Sequence, residues 1–215
     1  MKFKAAMKAV DDAGRRFPMR ILGHPFKGFD EMKFEGRGSI IFCLIIFFAS
    51  CLLNVLEFVY TGFLINYNDL YEVSTLYLML VTAFPVALFV VGNWSVTTLL
   101  NGKGKLIEIF MTTMYALYPF LILRIIALIL SNYLLIDEMS IVNTLKIIGA
   151  VVFAFYLFVG LLVIHDYNFT QGIGMVLLTL FAIIVIVFVL MLAFSLVADV
   201  IDFFSVVWRE LQLKL

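Results

Sequence analysis

Charge is what this chain of 215 residues has least of: 14% of it is Asp, Glu, Lys or Arg, against 64% hydrophobic residues. Soluble domains carry roughly 25% charged and about 45–50% apolar residues, so a globule folded in water is excluded. Cysteine and histidine are scarce too, with two of each. Cys43 and Cys51 fall in one apolar run, where eight helical residues set their backbones roughly 12 Å apart, beyond disulfide reach. They read as small apolar fillers. His24 and His165 have no third or fourth ligand at metal-site spacing, even with Asp30 or Asp166 counted, and read as interfacial polar residues. A phosphate loop is missing as well. Gly102-Lys103-Gly104-Lys105 lacks both the full Gly-x-x-x-x-Gly-Lys-Ser/Thr spacing and a preceding strand, and reads as a tight turn between helices. The first apolar run starts near residue 39, too late for a cleavable signal, so an uncleaved anchor is expected. No catalytic residues, cofactor, metal or nucleic-acid partner is expected.

What is present is apolar sequence in lengths that match a bilayer. Mean hydropathy is +1.11. Crossing a hydrocarbon core of ~30 Å takes about 20 helical residues. Five runs qualify: Ser39–Phe58, Leu76–Leu100, Leu106–Leu130, Ile147–Ile164 and Met175–Leu196. The expected fold is all-α, a polytopic transmembrane bundle of five helices with amphipathic interfacial helices at the N- and C-terminal ends. Residues 1–38 form a basic N-terminal segment, 39–198 the membrane domain and 199–215 an amphipathic tail. Phe3, Ala6, Met7 and Val10 recur at helical spacing, flanked by Lys2, Lys4 and Lys8, a pattern suited to a membrane surface. Gly14, Pro18, Gly23, Pro25 and Gly28 predict a mostly irregular connector over 14–38.

The few charges are placed unevenly. Nine of the fifteen bases precede residue 38, against five acids there. The turn between the second and third spans adds Lys103 and Lys105, whereas residues 59–75 and 131–145 hold acids and no base. By the positive-inside rule the N-terminus is cytoplasmic and, after five crossings, the C-terminus lies outside. Tyr60, Tyr67, Tyr71, Tyr77 and Tyr133 gather at the expected outer interface and Trp94 towards the inner one.

Ionisable residues inside spans are costly and are candidate functional residues. Glu57 lies about eighteen residues into the first span and Arg124 about eighteen into the third. Both spans run outward, so the two charges should share a depth, with Lys146 at the outer start of the fourth span able to join them. A structural ion pair or a substrate contact would both fit. Asn93 and Tyr115 add polar groups within spans, and Pro85 and Pro119 free backbone carbonyls there. In a transporter such breaks can form a site; in a static bundle they bend helices for packing. On the inner side the candidate interface residues are His24, Lys103, Lys105, His165 and Asp166.

Several of these segments, in order, resemble the Yip family (Ypt/Rab-GTPase-interacting proteins, the Yip-one domain), specifically its bacterial members. They are His24-Pro25-Phe26-Lys27-Gly28-Phe29, Asn93-Trp94, Asn101-Gly102-Lys103-Gly104, Tyr115-Ala116-Leu117-Tyr118-Pro119 and His165-Asp166-Tyr167. The resemblance implies a five-helix domain with a cytoplasmic N-terminus in a bacterial plasma membrane, no catalysis and no cofactor. Eukaryotic relatives bind small GTPases and one another. The Asp-Leu-Tyr-Gly-Pro motif of their cytoplasmic segment is absent here, which argues against GTPase binding. The expectation is a scaffold or accessory protein, beside membrane transporters, acting through lipid contacts and through other membrane proteins or self-association. The alternative is a small transporter or channel with a polar path near Asn93, Pro119 and the Glu57–Arg124 pair.

Overall fold

A computed structural model describes residues 17–64, 66 and 73–214. The expected helix around Phe3–Val10 lies outside them, as do Tyr67 and Tyr71. The described chain is helical, in the order α1 (Phe17–Gly23), α2 (Pro25–Phe34), α3 (Ile40–Tyr60), α4 (Thr75–Leu99), α5 (Leu106–Ser131), a single 3-10 turn at Ile136–Glu138, α6 (Met139–His165) and α7 (Phe169–Lys214). Helices α3 to α7 are the five that are long and apolar enough to cross a membrane. Their starts are marked by polar residues that satisfy free amides. The Ser39 hydroxyl accepts from the Phe42 amide, and Ser74 accepts from the Tyr77 amide at 3.2 Å. At the start of α5, Glu108 reaches back to the Lys105 amide at 3.0 Å.

Residues 14–38 were expected to be largely irregular; from Phe17 to Phe34 they are helical. The prolines start helices here instead of breaking them. Pro25 stands in the first turn of α2, where a missing N–H costs nothing, with exposed His24 before it at the N-cap. Gly28 faces α1 so closely that a Cβ there would lie 2.7 Å from Ile21 Cγ1. The pair therefore folds as a tight hairpin with Phe17, Ile21, Phe29 and Met32 buried, while Phe26 and Phe34 stay exposed. It wedges against α5 and α6. The Tyr156 hydroxyl donates to the Leu22 carbonyl at 2.7 Å, and the Phe17 ring meets Tyr115 edge-on at 5.2 Å.

Helix α5 is the centre of the bundle, packed most extensively on α6 and also on α3, α4 and α1. Its residues 112–117 are all buried. Gly149 of α6 lets the Phe120 ring sit against its backbone, whereas Ala150 and Ala154 face outward. Elsewhere the spans expose apolar side chains to the lipid, Phe48, Leu177 and Phe181 among them.

Two boundaries differ from expectation. Helix α6 begins at Met139, eight residues before the predicted Ile147, because Ser140, Asn143, Thr144 and Lys146 interrupt the apolar run but not the helix. Lys146 thus stands two turns inside α6. Helix α7 runs unbroken for 46 residues, so the expected tail continues the fifth span from residue 199 to Lys214. At 1.5 Å per residue it is roughly 69 Å long, against ~40–45 Å for a bilayer with its headgroups. It packs chiefly on α4, and every residue from Met191 to Phe204 is exposed.

Candidate functional site

Two polar clusters occupy opposite ends of the bundle. The first is where α6 ends and α7 begins. Asp166 closes α6 in the left-handed conformation, φ 58°, which Asp tolerates better than most residues. The chain then reverses within three residues. His165, the last residue of α6, points inward and is buried. Its Nδ1 accepts from the Gly104 amide at 3.3 Å, and its Nε2 lies 3.2 Å from Asn93 Oδ1. These partners define the ring: Nδ1 accepts, so Nε2 carries the proton and donates to Asn93. Asn93 Nδ2 donates onward to Thr179 Oγ1 at 3.1 Å, beside Met175 Sδ at 2.9 Å, and the Thr179 hydroxyl donates to the Met175 carbonyl. The relay thus joins α4, the Gly104 turn, α6 and α7, with Asn93, His165, Met175 and Thr179 all buried.

The turn before α5 is shaped by that ring. A Cβ on Gly102 would lie 2.7 Å from His165 Nδ1, and one on Gly104 would lie 2.6 Å from His165 Cε1. Only glycine lets the main chain run this close. Outside the ring, Tyr167 stacks on His165 at 5.4 Å and donates its hydroxyl to the Leu100 carbonyl. Lys103 and Asp166 pair at 2.6 Å, both exposed. The hydrogen bond from Lys103 and its charge hold the Asp166 carboxyl below its ordinary value. Lys33 of α2 donates to the Ile164 carbonyl at 2.6 Å, placing a cation at the negative end of the α6 dipole. Lys105 contributes its backbone to the start of α5 and no charge to the relay.

The second cluster sits near the far ends of α3 and α5. Arg124 holds Glu57 with two bonds, Nε to Oε1 at 3.0 Å and Nη2 to Oε2 at 2.8 Å, and donates to Asn54 Oδ1 at 3.0 Å. Such a forked pair is the strong form of the interaction. Lys146 Nζ approaches the same Glu57 Oε2 at 3.6 Å. The guanidinium lies over the Phe120 ring, 5.5 Å from its centroid. Asn54 Nδ2 donates to the Leu78 carbonyl, which ties in α4. The expected meeting of Glu57, Arg124 and Lys146 is thus observed.

Tyr115 and Pro119 belong to neither cluster. The Tyr115 hydroxyl accepts from the Ser39 amide at 3.0 Å, fixing the start of α3, and Pro119 is buried in α5.

Three of the segments singled out in the sequence, Asn93-Trp94, Asn101–Gly104 and His165-Asp166-Tyr167, therefore meet in one relay, while Phe29 of the His24–Phe29 segment lies against Gly160 of α6. The family model described as Yip1 domain matches residues 19–199. The chain belongs to the Yip1-domain family. No curated protein and no solved structure gives a significant match. The Yip1 domain as matched takes in α2 to α6, both clusters and most of α7.

Sequence reasoning missed Met175 and Thr179 as partners of Asn93, although Thr179 is among the few polar residues of the apolar part of α7. It also missed Glu31, a buried carboxylate on α2 that pairs with Arg20 at 3.3 Å and Arg37 at 3.2 Å. An acid among so many bases was the available signal. Among the described residues, no group of three or more His, Cys, Asp and Glu could hold a metal ion.

Proposed function

We propose that this Yip1-domain protein is a non-enzymatic membrane scaffold or accessory protein, with α1, α2 and the Lys103 turn facing the cytoplasm and the end of α7 outside. The observation that carries this reading is the free length of α7. From Met191 to Phe204 every residue is exposed, and Phe194, Phe203, Phe204 and Trp208 are each at least 64% exposed. The part past the reach of a ~30 Å core would stand in the headgroups or in water, where contiguous apolar surface marks an interaction site. The natural occupant is a helix of another membrane protein or of a second copy. The relay at His165 supports the same reading, since its groups satisfy one another and offer none to a substrate.

The transporter alternative gains little from the geometry. Asn93 and the Glu57–Arg124 pair stand at opposite ends, and the larger cavity beside Pro85, about 370 Å³, is lined by apolar side chains and Thr113.

A photo-crosslinking residue at Phe204, compared with one at lipid-facing Phe48, tests the scaffold in native membranes. Discrete protein adducts at Phe204 and none at Phe48 are expected. Equal, lipid-only labelling at the two positions would sink the reading.

A further inference from the structure

We infer that the bundle carries a binding site for one anionic phospholipid, its headgroup on Arg124 and Lys146 and one acyl chain along Pro85. Three observations converge on it.

The first is charge. Glu57 brings one negative charge to Arg124 and Lys146, which bring two positive ones. Among the described residues no second acid pairs with either base. Lys146 reaches Glu57 only at 3.6 Å, and its side chain is 38% exposed. Arg124 spends Nε and Nη2 on Glu57 and Asn54. A surplus cation near a membrane interface is expected to be neutralised by an anion, and lipid phosphate is the anion at hand.

The second is space. A cavity of about 190 Å³ lies between α3, α4 and α5, lined by Ser50, Thr82, Phe120 and Arg124 among others. A second, of about 370 Å³, lies between α4, α5, α6 and α7. Pro85, Val86 and Leu117 line both, so the two lie against the same stretch of α4 and α5. The first is polar at Arg124, Thr82 and Ser50; the second is apolar except for Thr113. That is the polarity of a lipid, head to tail.

The third is depth. From Arg124 the cavities follow α5 inward to Thr113, eleven residues or roughly 16 Å of helix rise. Half of a ~30 Å core is ~15 Å. On α4, which runs the other way, the lining goes inward from Val81 to Phe89. A chain laid along this path starts within the outer half of the bundle at Arg124 and reaches just past the middle of α4 and α5.

Native mass spectrometry of the detergent-solubilised chain tests the assignment, with phosphatidylglycerol, phosphatidylcholine of the same acyl chains, and inorganic phosphate as probes. One retained equivalent of phosphatidylglycerol is expected, with phosphatidylcholine held more weakly. Lys146→Gln, at a half-exposed position that leaves the Glu57–Arg124 fork intact, should weaken phosphatidylglycerol roughly fivefold and leave phosphatidylcholine unchanged. Val86→Phe, which adds bulk at a residue lining both cavities, should abolish retention of both lipids. Should that variant fail to fold, the Lys146→Gln comparison stands by itself. Equal retention of the two lipids, unmoved by Lys146→Gln, would overturn the site in favour of bulk solvation. Phosphate bound equally by the parent chain and by Val86→Phe would overturn the acyl component.

Discussion

The two polar clusters solve the same problem, polar groups at the edge of an apolar bundle, in opposite ways. At the His165 end the buried members are neutral and every group has a partner, with the ionic pair Lys103–Asp166 kept outside in water. At the Glu57 end the charges themselves go inside, and one cation is left over. The first arrangement closes on itself and ties helices together. The second stays open to a further anion. Burying charge is tolerable only while the pairing is complete, so the two ends should fail differently when cut.

The largest effect is expected at the charged end. Arg124→Ala leaves Glu57, 13% exposed, with Lys146 alone at 3.6 Å, and should cost about 3 kcal/mol, the lower end for a broken buried pair. Thermal unfolding in detergent reads this. Combining it with Glu57→Ala should cost clearly less than the two singles added, and strict additivity would show that the pair does not exist.

Next comes the neutral relay. Asn93→Leu strands the Nε2–H of His165 and removes the donor to Thr179. A loss of about 2 kcal/mol is expected, with the α4–α7 contact opening first in hydrogen exchange. Equal protection in parent and variant would remove the relay from any holding role.

Gly104→Ala should cost about 1.5 kcal/mol by overpacking, because its Cβ would stand 2.5 Å from Ile164 Cγ2. Gly174→Ala is the control, with nothing within 4 Å of its Cβ. If the two variants melt together, the turn does not press on the His165 ring.

The smallest effect belongs to the exposed pair. Since Lys103 lowers the Asp166 carboxyl below 3.8, the pair adds stability above that pH and loses it as pH falls through the folded-state value. Lys103→Gln should therefore melt slightly below the parent at neutral pH and alongside it in strong acid. A gap that widens in acid contradicts the assignment.

How much of this was legible beforehand follows from the range of each interaction. The five spans are local signals, and each apolar run appears as a helix. Glu57 and Arg124 could be matched because equal depth in parallel spans is a matter of counting. The α1–α2 hairpin was hidden because proline reads the same at the start of a helix as in a loop; the difference lies in Ile21 meeting Gly28. The early start of α6 was hidden by polar residues that a helix accommodates near an interface. The meeting of Asn93 with His165 links positions 72 residues apart, and no spacing rule reaches that far in one sequence.

Helix α7 has a mechanical consequence. Its first third is gripped by α4 through Asn93 and Thr179, while the rest is an unbroken rod reaching Lys214. From Thr179 to Lys214 that rod runs roughly 52 Å, so pivoting the grip by about 10° would sweep the tip by roughly 9 Å. A tilt of a few degrees beside Asn93 is therefore geared up into a displacement of several ångströms at the tip. Whatever rests on the far arm sits at the long end of a lever whose fulcrum is a single asparagine.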